Sequence, residues 1–133
     1  MIQHINLLAV LAAGVANFVL GALWYSPLMF VKPWQAEIGA DPNKKADMKA
    51  MGPRLAATFV LGLVQAYVFA MFIGYVSPPR GALYGVAAGL CWVAAAFGIN
   101  YIFAGRSFRL FLIDGGFNVV VFTLYGLILG AWH

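Results

Sequence analysis

The chain has 133 residues, 64% of them hydrophobic and 9% charged, with a net charge of +4 and a mean hydropathy of +0.90. A soluble domain of this size carries about 25% charged residues, so this composition cannot make a water-facing surface, and no nucleic-acid partner is expected. The length suffices for one bundle with nothing left for a second domain, so residues 1–133 are expected to form a single membrane domain whose surroundings are the lipid bilayer.

Nothing basic precedes the first apolar run, where a secretory signal would carry Lys or Arg, and Gly14-Val15-Ala16 is a poor cleavage match. A cleaved leader is therefore not expected. About 20 apolar residues are needed to cross hydrocarbon as a helix. Ile5–Tyr25 supplies the first span, and Ser26-Pro27 ends it, because proline lacks an N–H and disfavours helix in the residue before it. The following loop is too long for a turn. Asp41-Pro42 reads as an N-cap with proline at the first helical position. The segment after it sets Met48 and Met51 apart from the lysines, so a short helix lying on an anionic membrane surface is expected there.

Arg54–Val76 is the second span, and Ser77-Pro78-Pro79-Arg80-Gly81 is a tight turn into the third, Ala82–Phe103. Gly105-Arg106-Ser107 then leads into the fourth, Phe108–Trp132. The expected fold is all-α, four transmembrane helices in a compact bundle with one interfacial helix. The runs are too long, and alternate too little, for a β-barrel. Lys32, Lys44, Lys45, Lys49 and Arg54 fall in or beside the loop 26–53, and Arg106 and Arg109 in or beside the loop 104–107; the other side has Arg80 alone. The positive-inside bias places both basic loops in the cytoplasm and both termini outside, in a cell membrane. Trp24, Tyr25, Trp34, Tyr75 and Trp132 near span ends fit an aromatic belt.

Small residues recur at four-residue spacing, most clearly Gly81, Gly85 and Gly89 in the third span and Gly126 and Gly130 in the fourth. Helices associate in lipid through close van der Waals contact, which small faces allow. These stripes are expected to seat helices within the bundle, or to serve a subunit interface. Four helices are few for shielding a polar interior, so a homo-oligomer is expected.

Polar residues inside the spans are sparse. Asn17, Gln65 and Asn118 lie near mid-span, and Asp114 is the sole acid in any span. A carboxylate at the bilayer centre costs roughly 2.5–3.5 kcal/mol even on the lenient insertion scale and usually finds a partner inside the bundle. Asp114 is one turn from Asn118 on one face of the fourth helix. Arg109 and Arg106 are its expected partners, with Asn17 or Gln65 as alternatives. Two readings of these six residues stay open. They line a small polar cavity that binds or passes a solute, or they only hold helices together.

Catalysis needs a nucleophile, an acid–base pair or a metal cluster, and the chain shows none, so neither an enzyme nor a cofactor is expected. His4 and His133 have no metal-ligand neighbours in sequence. The one cysteine, Cys91, rules out an internal disulfide or a paired-cysteine redox site and reads as a small packing residue.

The segment Gly21–Trp34, GALWYSPLMFVKPW, resembles a signature of the bacterial domain of unknown function 1761 family, in which a Gly-x-x-Trp-Tyr-Ser-Pro-like element ends the first helix. The ending Gly-Leu-Ile-Leu-Gly-x-Trp of the last span is similar as well. The resemblance covers nearly the whole chain and implies a small four-span membrane protein without implying an activity. Trp24-Tyr25, Leu28 and Lys32-Pro33-Trp34 also resemble, more weakly, the first loop of the tryptophan-rich sensory proteins, but those have five spans and a second helix rich in proline and tryptophan.

Overall fold

The computed structural model describes residues 5–26, 29–39 and 48–132. All regular structure among them is helical. Helix α1 (Leu7–Trp24) is the first span, α2 (Val31–Ile38) a short helix after it, and α3 (Met48–Ile73) the second span. The third span is one long rod in three pieces: α4 (Pro78–Ala88), a π-helical turn (Gly89–Ala94) and α5 (Ala95–Ala104). Helix α6 (Phe108–Ala131) is the fourth. Four helices are thus long and apolar enough to cross a membrane.

Local chemistry sets the helix ends. Asn6 caps α1 by accepting from the Leu8 and Ala9 amides at 3.0 and 3.3 Å. Ser77 caps α4 ahead of Pro78-Pro79, and Ser107 caps α6 by accepting from the Leu110 amide. Each satisfies an N–H that the first turn leaves orphaned. Gly105, left-handed at φ 71°, closes α5 and turns the chain into α6 within three residues. The two threonine hydroxyls of α3 and α6 satisfy their donors by back-bonding within their own helices. Thr58 donates to the Arg54 carbonyl and Thr123 to the Val119 carbonyl.

Two helix starts differ most from the sequence expectation. The third span starts at Pro78 rather than Ala82, because Ser77 and the two prolines form a helix start rather than a turn. The second begins at Met48 rather than Arg54 and runs through Pro53. Proline is tolerated that early because few of the preceding carbonyls lose a partner. Met48 and Met51 therefore belong to the first turns of the helix that runs on into the second span, not to a separate surface helix. The helix expected from Asp41-Pro42 falls largely on residues outside those described. The short helix seen in this loop is α2, further upstream.

Helix α6 is the hub. It packs along the third span, along α1, and more lightly against α2 and α3, while α1 also packs on α3. The core contains Ala9, Ala13, Ala66, Phe69, Ala88, Val121, Phe122, Tyr125 and Leu129. Outward-facing side chains such as Leu7, Leu61, Phe72, Ile102 and Phe103 are exposed. In water such a surface would be an aggregation hazard; around a bundle of spanning helices it is the lipid-facing belt.

The contact between the third and fourth spans is the tightest in the molecule. A Cβ built on Gly81 would sit 2.1 Å from the Gly126 carbonyl oxygen, and one on Gly85 would sit 2.0 Å from that of Phe122. Gly89 meets the Val119 Cα at 2.8 Å, and Gly130 meets the Ser77 carbonyl oxygen at the same distance. The five glycines singled out in the sequence thus all lie in one backbone-to-backbone seam within the chain. Such approach is open only to residues without a Cβ.

Candidate functional site

The polar residues of the spans form two separate groups. One is a staple around Tyr125. The Asn17 amide donates to the Tyr125 hydroxyl at 2.8 Å, and that hydroxyl donates to Gln65 Oε1 at 3.0 Å, with the Gly62 carbonyl oxygen 3.3 Å away. Tyr125 is fully buried. It ties α1, α3 and α6 together deep in the bundle. Asn17 and Gln65 are therefore committed to Tyr125 and not to Asp114.

The second group is built on Asp114. The residue is buried, 8% exposed. Tyr25, just past the end of α1, donates to Oδ1 at 2.6 Å, and Tyr101 of α5 donates to Oδ2. Three spans thus meet at one carboxylate. Asp114 lies six residues into α6, about 9 Å by helical rise, and Tyr101 three residues from the end of α5. Both tyrosines enter from the same end of the bundle, the end that carries the basic loops.

Arg106 and Arg109, expected as partners, are exposed, and the Asp114 hydrogen bonds come from the two tyrosines instead. At the end of a span an arginine has water and headgroups within reach, which hydrate it better than a buried carboxylate can. Asn118 also departs from expectation. It donates at 2.8 Å to the backbone carbonyl of Asp114, within its own helix, and does not touch the carboxylate. Of the six sequence-selected residues, Asn17 and Gln65 share a cluster, Asp114 and Asn118 share a helix turn, and the arginines stand apart.

An aromatic wall surrounds the carboxylate. The Tyr25 ring meets Trp34 of α2 edge-on at 5.5 Å and Phe117 at 5.4 Å. Trp24 lies tilted against Phe30, with ring centroids 4.8 Å apart, and donates its indole N–H to the Ile113 carbonyl at 3.0 Å. Gly116 leaves room for this indole, 3.5 Å from where its Cβ would be, and Gly115 faces the Ala94 Cβ at 3.3 Å. Below, Glu37 of α2 accepts from the Ser107 hydroxyl, so α2 is latched to the start of α6. The sequence reading missed Tyr25 and Tyr101 because tyrosines near span ends ordinarily serve as interface anchors. Their matching depth with Asp114, counted from the basic end, was the signal available.

Trp24 and Tyr25 of the Trp-Tyr-Ser-Pro element and Trp34 of the Lys-Pro-Trp element are therefore those that close around Asp114, while Ser26 donates back to the Leu23 carbonyl at the end of α1. A model of the family described as Protein of unknown function (DUF1761) matches residues 8–130. The chain belongs to this family. Neither the curated proteins nor the solved structures hold a match to it. In this DUF1761 member the signature has a physical role. It ends the first span, delivers a hydroxyl to an intramembrane carboxylate, and turns the chain so that α2 packs beside it. Among the described residues no three His, Cys, Asp or Glu side chains come together as a metal site. His4 and His133 lie outside the described residues.

Proposed function

We propose that this protein is a non-enzymatic multi-pass membrane protein that binds or passes a small cationic solute at Asp114. One observation carries the reading. Among the described residues, the carboxylate in α6 is held by two neutral hydroxyls and by no cationic side chain. Neutral donors offset part of the desolvation of a carboxylate, but not its charge. A mobile cation or a proton supplies the remainder. The surrounding rings of Tyr25, Trp34 and Phe117 add faces that attract a cation. The test is uptake and binding of small ammonium ions, from methylammonium to choline, by the protein in lipid vesicles. Asp114→Asn should remove both while leaving the unfolding temperature near that of the parent. Unchanged uptake in Asp114→Asn would sink the proposal.

A second reading has its own support, because Asp114 joins three spans and so acts as a staple like Tyr125. On that reading no ammonium ion binds, and loss of the carboxylate costs stability alone.

The same proposal includes a cytoplasmic position for the basic loops, with both termini outside the cell membrane, supported by the bias of Lys and Arg. It also includes assembly as a homo-oligomer. The glycine seam is used up between the third and fourth spans, so subunits would meet through other lipid-facing surfaces.

A further inference from the structure

The seam between the third and fourth spans can be followed residue by residue. On α6 it descends through Gly126, Phe122, Val119, Gly115 and Phe111, at steps of three or four, as a regular helix requires. On the third span it descends through Gly81, Gly85, Gly89, Ala94 and Gly98, and then Tyr101 reaches Asp114. The step from Gly89 to Ala94 is five residues, and it coincides with the π-helical turn. There the Ala95 amide reaches back to the Leu90 carbonyl, five residues earlier.

That turn decides which side chain meets the carboxylate. Tyr101 is twelve residues past Gly89, about 3.3 turns of regular α-helix, which would leave it about 120° away from the seam. A π turn absorbs one extra residue, so Tyr101 counts as the eleventh and falls within about 20° of Gly89. In an unbroken α-helix the eleventh residue is Asn100. Asn100 is now exposed on the apolar flank of the rod, where an amide is poorly placed. The same exchange would put Val93 in place of Ala94 against Gly115. Single π turns sit frequently at functional sites.

We infer that the π turn is a register switch, which holds Tyr101 on Asp114 and, on relaxing to regular helix, replaces it with Asn100. This rests on the reading of Asp114 as the working site and specifies how that site is controlled. The relaxed state rotates α5 by about 100° and shifts it by about 1.5 Å along its axis. Gly105, already left-handed, is the joint that can take up the motion. A tyrosine offers the carboxylate one donor, whereas an asparagine offers two donors and an acceptor, so the two registers present different sites to a solute.

Disulfide trapping in lipid vesicles tests this without reference to any solute. In a Cys91→Ala background, Ala94→Cys is paired with Gly115→Cys to report the π register, and Val93→Cys with Gly115→Cys to report the relaxed one. Closure is read as thiols that no longer react with maleimide after denaturation. The first pair should close readily and the second to a minor extent. Tyr101→Phe should raise closure of the second pair about threefold, the factor given by loss of an average intramembrane hydrogen bond, and Asn100→Ala should lower it. Deleting residue 91, rather than replacing it, removes the extra residue. It should keep the first pair closing and abolish the second. A Val93 pair that stays open both in the background and with Tyr101→Phe overturns the switch. An Ala94 pair that stays open, or a deletion that prevents folding, overturns the register itself. None of these outcomes bears on ammonium binding, which Asp114→Asn decides separately.

Discussion

Gly81 and Gly126 touch backbone to backbone: a Cβ on Gly126 would lie 1.8 Å from the Gly81 carbonyl oxygen. No side chain can yield there, so relief must come from separating two helices. Gly126→Ala should therefore destabilise by about 3 kcal/mol, at or above the upper end of the usual overpacking range. Gly21→Ala is the control, since its Cβ would meet only the Phe117 ring, at an ordinary 3.5 Å; removing a glycine from within helix α1 there should be neutral or stabilising by about 0.5–1 kcal/mol. Reversible unfolding in detergent micelles, compared with the parent, reads both.

Tyr125→Phe keeps the ring and removes the hydroxyl that joins Asn17 and Gln65. Intramembrane hydrogen bonds average about 0.6 kcal/mol and reach about 1.7. The loss should lie toward the top of that range, because one hydroxyl serves two amides on different helices. Adding Asn17→Leu to Tyr125→Phe should cost less than the sum of the two single changes. Strict additivity in that cycle would show that the staple is not a unit.

Tyr25→Phe and Tyr101→Phe each remove one donor from Asp114. Either change alone should be tolerated, with the remaining hydroxyl holding the carboxylate. Together they leave it with neither hydroxyl, so the double variant should lose more than the two single losses combined. Asp114→Asn placed on the double variant should restore part of the stability, since a neutral amide is cheaper to bury than a carboxylate. No such rescue would mean that the burden at this site is packing rather than charge.

Ser107 holds two roles, capping α6 and donating to Glu37. Ser107→Ala should cost about 1 kcal/mol as a lost cap, and it should also release α2. Glu37→Gln keeps the cap and weakens only the latch. If α2 is held by the latch, both variants should redden Trp34 fluorescence as the indole leaves Tyr25 and meets water. A change confined to Ser107→Ala would assign the effect to the cap alone.

Much of the fold was legible because composition and length dominate in lipid. Four apolar runs, a proline after Tyr25 and glycine in the short turns place four spans with little ambiguity. Asp114 was legible for the same reason, as a charge where charge is expensive. Its partners were not. Arginine was favoured by charge alone, but reach and hydration decide, and both arginines stand at the end of a span with water close by. The start of the second span was hidden because Met48–Gly52 is too polar to read as membrane helix, yet it continues the rod outside the hydrocarbon. The π turn left no mark on the glycine stripe, which is regular from Gly81 to Gly89 and stops there. It becomes visible only when the same face is traced onward to Ala94 and Tyr101.

The unequal lengths of the helices have a mechanical consequence. Helix α1 has 18 residues and reaches about 27 Å, whereas α6 has 24 and reaches about 36 Å. A typical hydrocarbon core is about 30 Å thick, so α6 must tilt, while α1 falls about 3 Å short and already draws the bilayer thin around it. Thickening the bilayer pulls the ends of α1 inward, and Tyr25 hangs from one of those ends. The Tyr25–Asp114 bond then carries the load first. Reconstitution in lipids of increasing acyl length should lower the unfolding temperature of the parent more steeply than that of Tyr25→Phe, which has no such bond to strain; membrane thickness becomes a force applied to the carboxylate.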